Sequence, residues 1–225
     1  MAGADTTATA IRATVLYIIS NPRVLEKLRA EVNQNSFSGP IISDSEARAM
    51  PYLQAVIKEG LRIHPPVASL MSKEVPKGGD TFKGHYLPEG TSIGYCAWGI
   101  FRKKDIWGED SDQFRPERWL EAPEDELRRM ESALELIFGY GRWQCLGKNI
   151  ALMELNKVIP EVRHLLPHLP FESIRHLLMW VCACEQLFRR FDLGLVNPTK
   201  PWHSLSIGIF HQNEYWIRGF KRESI

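Results

Sequence analysis

The stretch that most restricts the possible folds is residues 138–149, FGYGRWQCLGKN. Glycine at 139, 141 and 147 frees the backbone for conformations that other residues avoid. The stretch runs directly into an apolar pattern of helical period, CLGKNIALMELNKV. It therefore reads as a tight loop ending at a helix N-terminus, with one cysteine, Cys145, at the junction. Unpaired N–H groups and the helix dipole favour an anion there, so a thiolate is stabilised. Arg142 adds positive charge nearby.

Such a loop needs a scaffold, and the remaining sequence supplies one. The chain has 225 residues, 44 % apolar and 24 % charged, enough for a large domain with a core. Ile11, Val15, Ile18 and Ile19 share a helical face that begins almost at Met1, so a preceding segment is expected. Asn21 and Pro22 predict the N-terminus of a second helix, running through Leu25 and Leu28 to Val32. Ser43 and Glu46 form a capping-box pattern. A further helix follows Pro51, with Leu53, Val56, Ile57 and Leu61 inward, and ends at HPP. Residues 67–95 read as short strands between PKGGD and LPEG turns. A short helix near 96–101 and an irregular stretch lead to the cysteine loop. Strands are expected again from Phe191. The predicted class is mainly α with small β-sheets (α+β).

Several function classes are disfavoured. Net charge is +1 with no basic stripe, which argues against nucleic acid. The four cysteines do not space as a secreted disulfide framework. No run is long enough to span a membrane.

A thiolate on a glycine loop suits a nucleophile or a metal ligand. A nucleophile needs a partnered base, and zinc needs more ligands than surround this loop. One thiolate suffices as the axial ligand of haem iron. The ordinary alternative is a buried structural cysteine.

The loop resembles the cysteine signature of the cytochrome P-450 haem-thiolate monooxygenases, with Phe138, Gly141, Cys145 and Gly147 at its four marked places. Trp143 stands where that family often has a basic residue facing a haem propionate. By resemblance Arg142 takes over this contact, a swap similar to fungal members. Three further motifs match in order. KEGLR resembles Glu-x-x-Arg, with Glu59 and Arg62 on one helix face. On spacing alone these two read as a solvated ion pair. FRPERW supplies Arg118, which in the family joins that pair in a buried network that helps fix the cysteine loop. AGADTT resembles the oxygen-activating helix, with Asp5 as the acid and Thr6 as the alcohol beside dioxygen. Alone, either residue reads as an ordinary helix N-cap.

The resemblance implies the C-terminal half of the cytochrome P-450 fold over residues 1–225, with the N-terminal half missing. It implies haem with an axial thiolate, and one oxygen atom from dioxygen inserted into a small organic substrate. Electrons would come from NADPH through a separate reductase, at the endoplasmic reticulum membrane in the full-length protein. The alternative is a truncated, silent remnant that cannot complete a haem pocket. An enzyme rearranging its substrate without external electrons is disfavoured by the Asp5–Thr6 pair. Residues 162–186 break the pattern. Removing them restores one apolar face from Leu155, Val158 and Ile159 to Leu187, Phe188 and Phe191. They are expected to be a non-family insertion, an unspliced intron translated in frame. The competing readings are a true insertion loop and a metal site of His164, His168, His176, Cys182 and Cys184.

Overall fold

A computed structural model describes residues 2–39, 41–161, 191–196, 199, 203–206, 210–213 and 217–221. Residues 162–186, with their histidines and cysteines, lie outside the described residues. Among the described residues no group of His, Cys, Asp or Glu could hold a metal ion, and no helix is long and apolar enough to cross a membrane.

Helix α1 (Ala2–Ile19) is followed by α2 (Pro22–Gln34), α3 (Asp44–Arg48) and α4 (Pro51–Ile63). Next come strands β1 (Lys73–Glu74), β2 (Asp80–Phe82), β3 (His85–Leu87) and β4 (Ser92–Ile93). β1 pairs antiparallel with β4 and β2 with β3, as two small ribbons. Short helices α5 (Ala97–Ile100), α6 (Lys104–Trp107) and α7 (Arg118–Glu121) precede α8 (Glu124–Leu134). Two 3₁₀ turns, Glu135–Phe138 and Gly141–Trp143, lead to α9 (Lys148–Glu161). At the C-terminus β5 (Phe191–Leu195) pairs with β8 (Ile217–Lys221), and β6 (His203–Ser206) with β7 (Phe210–Asn213). The class is mainly α with small antiparallel sheets, as the sequence predicts.

The core lies where α1, α2, α4 and α9 meet. Ile18, Val24, Leu53, Val56, Leu155 and Ile159 are almost wholly buried there. Gly60 allows the closest crossing. A Cβ at this position would fall 2.1 Å from Thr14 Oγ1 and 2.9 Å from Thr14 Cβ, so only glycine lets α4 lie this near α1. Thr14 is itself fully buried and satisfies its hydroxyl by donating to the Ala10 carbonyl at 2.8 Å.

Helix ends follow the sequence in part. Ser43 and Glu46 form the expected capping box. The Glu46 carboxyl is held down at about 2, chiefly by its hydrogen bond with Ser43 and also by backbone N–H groups of Ser38 and Ser43. Asn21 differs from its predicted role. Its side chain makes no cap for α2 and instead donates to the Tyr17 carbonyl at 2.6 Å, closing the end of α1. The first turn of α4 has no side-chain cap of its own. Glu31 of α2 supplies one, accepting from Tyr52 N and Leu53 N at 2.8 Å each.

Two boundaries are also corrected. Helix α9 starts at Lys148, not at Cys145, because residues 145–147 form a turn whose carbonyls receive Lys148 N and Ala151 N. Between the stretch read as irregular, residues 107–120, and the cysteine loop lies α8, to which the sequence reading gave no element. Its buried positions, Met130, Ala133 and Leu134, are too few to stand out among its charges.

Candidate active site

The matched motifs fall into two distinct environments. The first is a buried polar network. Glu59 and Arg62 on α4 are fully buried, so the solvated-pair reading is wrong. Glu59 Oε1 accepts from Arg62 Nη2 (2.8 Å), Arg118 Nε (3.1 Å) and the Arg115 backbone N–H (2.9 Å). Its Oε2 accepts from Arg62 Nε (2.9 Å) and Trp119 Nε1 (3.0 Å). Arg62 also donates to the carbonyls of Phe101, Ser111 and Gln113. Arg118 donates to the carbonyls of Trp107, Asp110 and Gln113 and to the Asp110 carboxylate. Both guanidiniums thus use every N–H they have. Arg115 N–H and Trp119 also belong to the FRPERW stretch, but the sequence reading singled out only Arg118 there.

The expected bracing of the cysteine loop is not made by direct hydrogen bonds of this network. Among the described residues, none of its hydrogen bonds reaches residues 138–147. They tie α4 to the 101–119 segment instead. The physical reason is reach: those carbonyls lie around the guanidiniums and fill all their donors.

The second environment is a cavity of about 330 Å³ that collects residues from across the sequence. Helix α1 contributes Thr6 and Thr7, α4 contributes Leu61, and the segment after α4 contributes Val67 and Met71. The loop contributes Phe138, Trp143, Cys145 and Gly147, and α9 contributes Ile150, Ala151 and Glu154. Thr6 and Cys145 therefore meet at one space, as their pairing at a reaction centre requires. Thr7 is buried and lines the same space, and the sequence reading missed it. Its signal was present: it is the next hydroxyl on the same helix. Asp5 is exposed and does not line the cavity.

The loop's geometry follows from its glycines. Gly139 has φ +72°, and a Cβ there would sit 3.1 Å from the Trp143 carbonyl oxygen. Gly141 has φ +64° with open space around it, so backbone conformation alone selects glycine. Gly147 is different, since a Cβ would meet Cys145 Sγ at an ordinary 3.8 Å. Between the turns, Cys145 N donates to the Phe138 carbonyl at 2.7 Å, closing the loop on itself. Tyr95 donates its hydroxyl to the Leu136 carbonyl at 2.6 Å. The Cys145 thiol is exposed.

Two cations stand at Trp143, which lines the same cavity as Cys145. Arg142 lies 5.1 Å and Lys73 Nζ 4.9 Å from the Trp143 ring centroid. Among the described residues neither cation meets a carboxylate. Lys73 carries no motif and was not legible. Lys148 is used otherwise, in an ion pair with Glu135 and over the Phe138 ring.

Comparison with known proteins agrees with this arrangement. The cytochrome P-450 family model matches residues 1–166. Cytochrome P-450 monooxygenase ABA1 of Pyricularia oryzae is 42 % identical, over 99 % of this chain and 39 % of that protein. Cytochrome P-450 monooxygenase aba1 of Botryotinia fuckeliana is 37 % identical, over 97 % of this chain and 38 % of that protein. Pisatin demethylase of Fusarium vanettenii is 45 % identical, over 72 % of this chain and 30 % of that protein. The chain thus spans about two fifths of the length of the first of these relatives. With two of its motifs meeting at the cavity, two forming the buried network and the family model covering most of its length, the chain belongs to the cytochrome P-450 family.

Proposed function

We propose that this chain forms the thiolate side of a haem monooxygenase, with Cys145 as the iron's axial ligand. The observation that carries the reading is that Cys145 and Thr6 line one cavity. The donor set suits the cofactor: an exposed thiol, mostly apolar walls, and two cations with no carboxylate partner among the described residues. Arg142 and Lys73 would hold the two propionates, and Phe138, Gly141 and Gly147 shape the loop beneath the ring. When bound, haem with a thiolate ligand supplies dioxygen activation.

The chain's own residues then divide the work. Thr6, on the cavity wall, holds a proton donor or a water near the reacting centre. Asp5, exposed at the start of α1, exchanges protons with solvent and passes them inward toward Thr6. Glu59, Arg62 and Arg118 act on the scaffold and not on the chemistry. The apolar wall from Val67 to Met71 favours a small organic substrate. Electrons are assigned to NADPH through a reductase, and the full-length protein to the endoplasmic reticulum membrane, because the family works that way. The silent-remnant alternative gains no support from a chain in which Thr6, Phe138, Cys145 and Gly147 line one cavity.

Residues 162–186 are proposed as an insertion into this domain. The family match stops inside them at residue 166 while relatives match further along, which supports that reading. Sequencing of spliced transcripts tests the intron origin, which fails if mature message contains the segment.

The test of the cofactor assignment is the spectrum of the reduced, carbon-monoxide-bound protein. Cys145→Ala should abolish the thiolate-ligated form. Its persistence would refute the assignment.

A further inference from the structure

The backbone of the 3₁₀ turn Glu135–Phe138, which leads into the loop that carries Cys145, accepts one side-chain hydrogen bond from distant sequence among the described residues. That bond runs from Tyr95 to the Leu136 carbonyl at 2.6 Å. The same carbonyl accepts Gly139 N at 3.1 Å, so it closes the 3₁₀ turn that precedes the loop's first glycine. Two residues on, the Phe138 carbonyl receives Cys145 N. The tether and the thiol are therefore separated by one rigid turn and one hydrogen bond.

Tyr95 is itself well anchored. It follows β4, its carbonyl accepts Met71 N at 3.1 Å, and its neighbour Cys96 bridges Leu70. Met71 lines the cavity. Partial burial raises the Tyr95 hydroxyl above its ordinary value, so it stays protonated and able to donate.

We propose that Tyr95 is a positioning residue for Cys145, fixing the Leu136 carbonyl and, through the turn that follows, the place of the sulfur. The inference rests on the reading of Cys145 as the iron ligand. It assigns to Tyr95 a direct contact at the turn before this loop, where the buried Glu59 network makes no hydrogen bond among the described residues. It also links the turn before the ligand loop to the cavity wall at Met71.

Tyr95→Phe removes the hydroxyl and keeps the ring. Amide hydrogen exchange at Gly139 and Cys145 should rise about five- to tenfold, the scale of one lost hydrogen bond. Exchange at Val56 and Ile57 in α4 should not change. In the haem-loaded protein, the thiolate-ligated signature should decay several-fold faster on incubation in mild denaturant. Unchanged exchange at Gly139 and Cys145 overturns the tether. An equal rise in α4 also overturns it, because the effect would then be global. If exchange responds but the signature decays at the wild-type rate, the positioning role is refuted. Absence of the signature from the wild-type protein refutes the Cys145 reading itself, and with it the inference.

Discussion

The Glu59 network and the Cys145 loop are both polar features set against an apolar core, yet they are finished in opposite ways. In the network Glu59, Arg62 and Arg118 are enclosed, and every N–H of the two guanidiniums finds an acceptor within the chain. At the loop Cys145 is exposed, Arg142 and Lys73 meet no carboxylate among the described residues, and Trp143 is 62 % exposed. A buried charge cluster that was incomplete would cost several kcal/mol, so the scaffold closes it internally. A site that takes a guest must leave its donors open. The difference separates residues that hold the fold from residues proposed to hold the cofactor, and each claim can be broken by substitution.

The largest effect is expected at Glu59. Glu59→Ala would leave two arginines buried without their carboxylate, costing about 3–5 kcal/mol in denaturant unfolding. A loss below about 1 kcal/mol would show that the network is not closed in solution. Gly60→Ala comes next, at about 1–3 kcal/mol, because the new methyl overlaps Thr14. Combining it with Thr14→Gly should recover part of that loss in the same measurement, and no recovery would show that the crossing is not the cause.

A smaller, pH-dependent effect is expected at Glu117, which joins α2 to the segment before α7. Burial alone would raise its carboxyl, but hydrogen bonds led by Lys27, with Arg23 and Tyr52, outweigh burial and hold it at about 2 against an ordinary 4.5. A lowered carboxyl stabilises the fold fully above the unfolded value, and that contribution is lost as pH falls from 4.5 through about 2. Acid titration of stability in Glu117→Gln should lack this component. An identical acid profile would remove Glu117 from the linkage. The smallest effect is expected at Cys145. Cys145→Ala should alter the stability of the cofactor-free chain by no more than about 0.5 kcal/mol, as for an exposed residue. A loss comparable to that of Glu59→Ala would make the thiol structural and break the comparison.

The sequence made the large helices legible because α1, α2 and α4 each carry an apolar face and end at recognisable punctuation. It also placed Thr6 and Cys145 in one reaction, and they do share a cavity. What it hid was tertiary. Spacing shows that Glu59 and Arg62 face one another but not that both are buried, since burial depends on segment 101–119 folding over them. Asn21 has the right identity for a helix start, yet the same amide can close the preceding helix, and packing chose the latter. Lys73 and Tyr95 reach the loop only because the strands bring them there, and neither stands in a pattern that spacing could reveal.

The cap on α4 carries a consequence for how the chain acquires its shape. Because Glu31 of α2 completes the first turn of α4, that turn cannot be finished by local sequence alone. Docking of α2 and closure of the first turn of α4 are therefore coupled. The helix that carries Glu59 and Arg62 is registered against its neighbour through its backbone as well as through its apolar face.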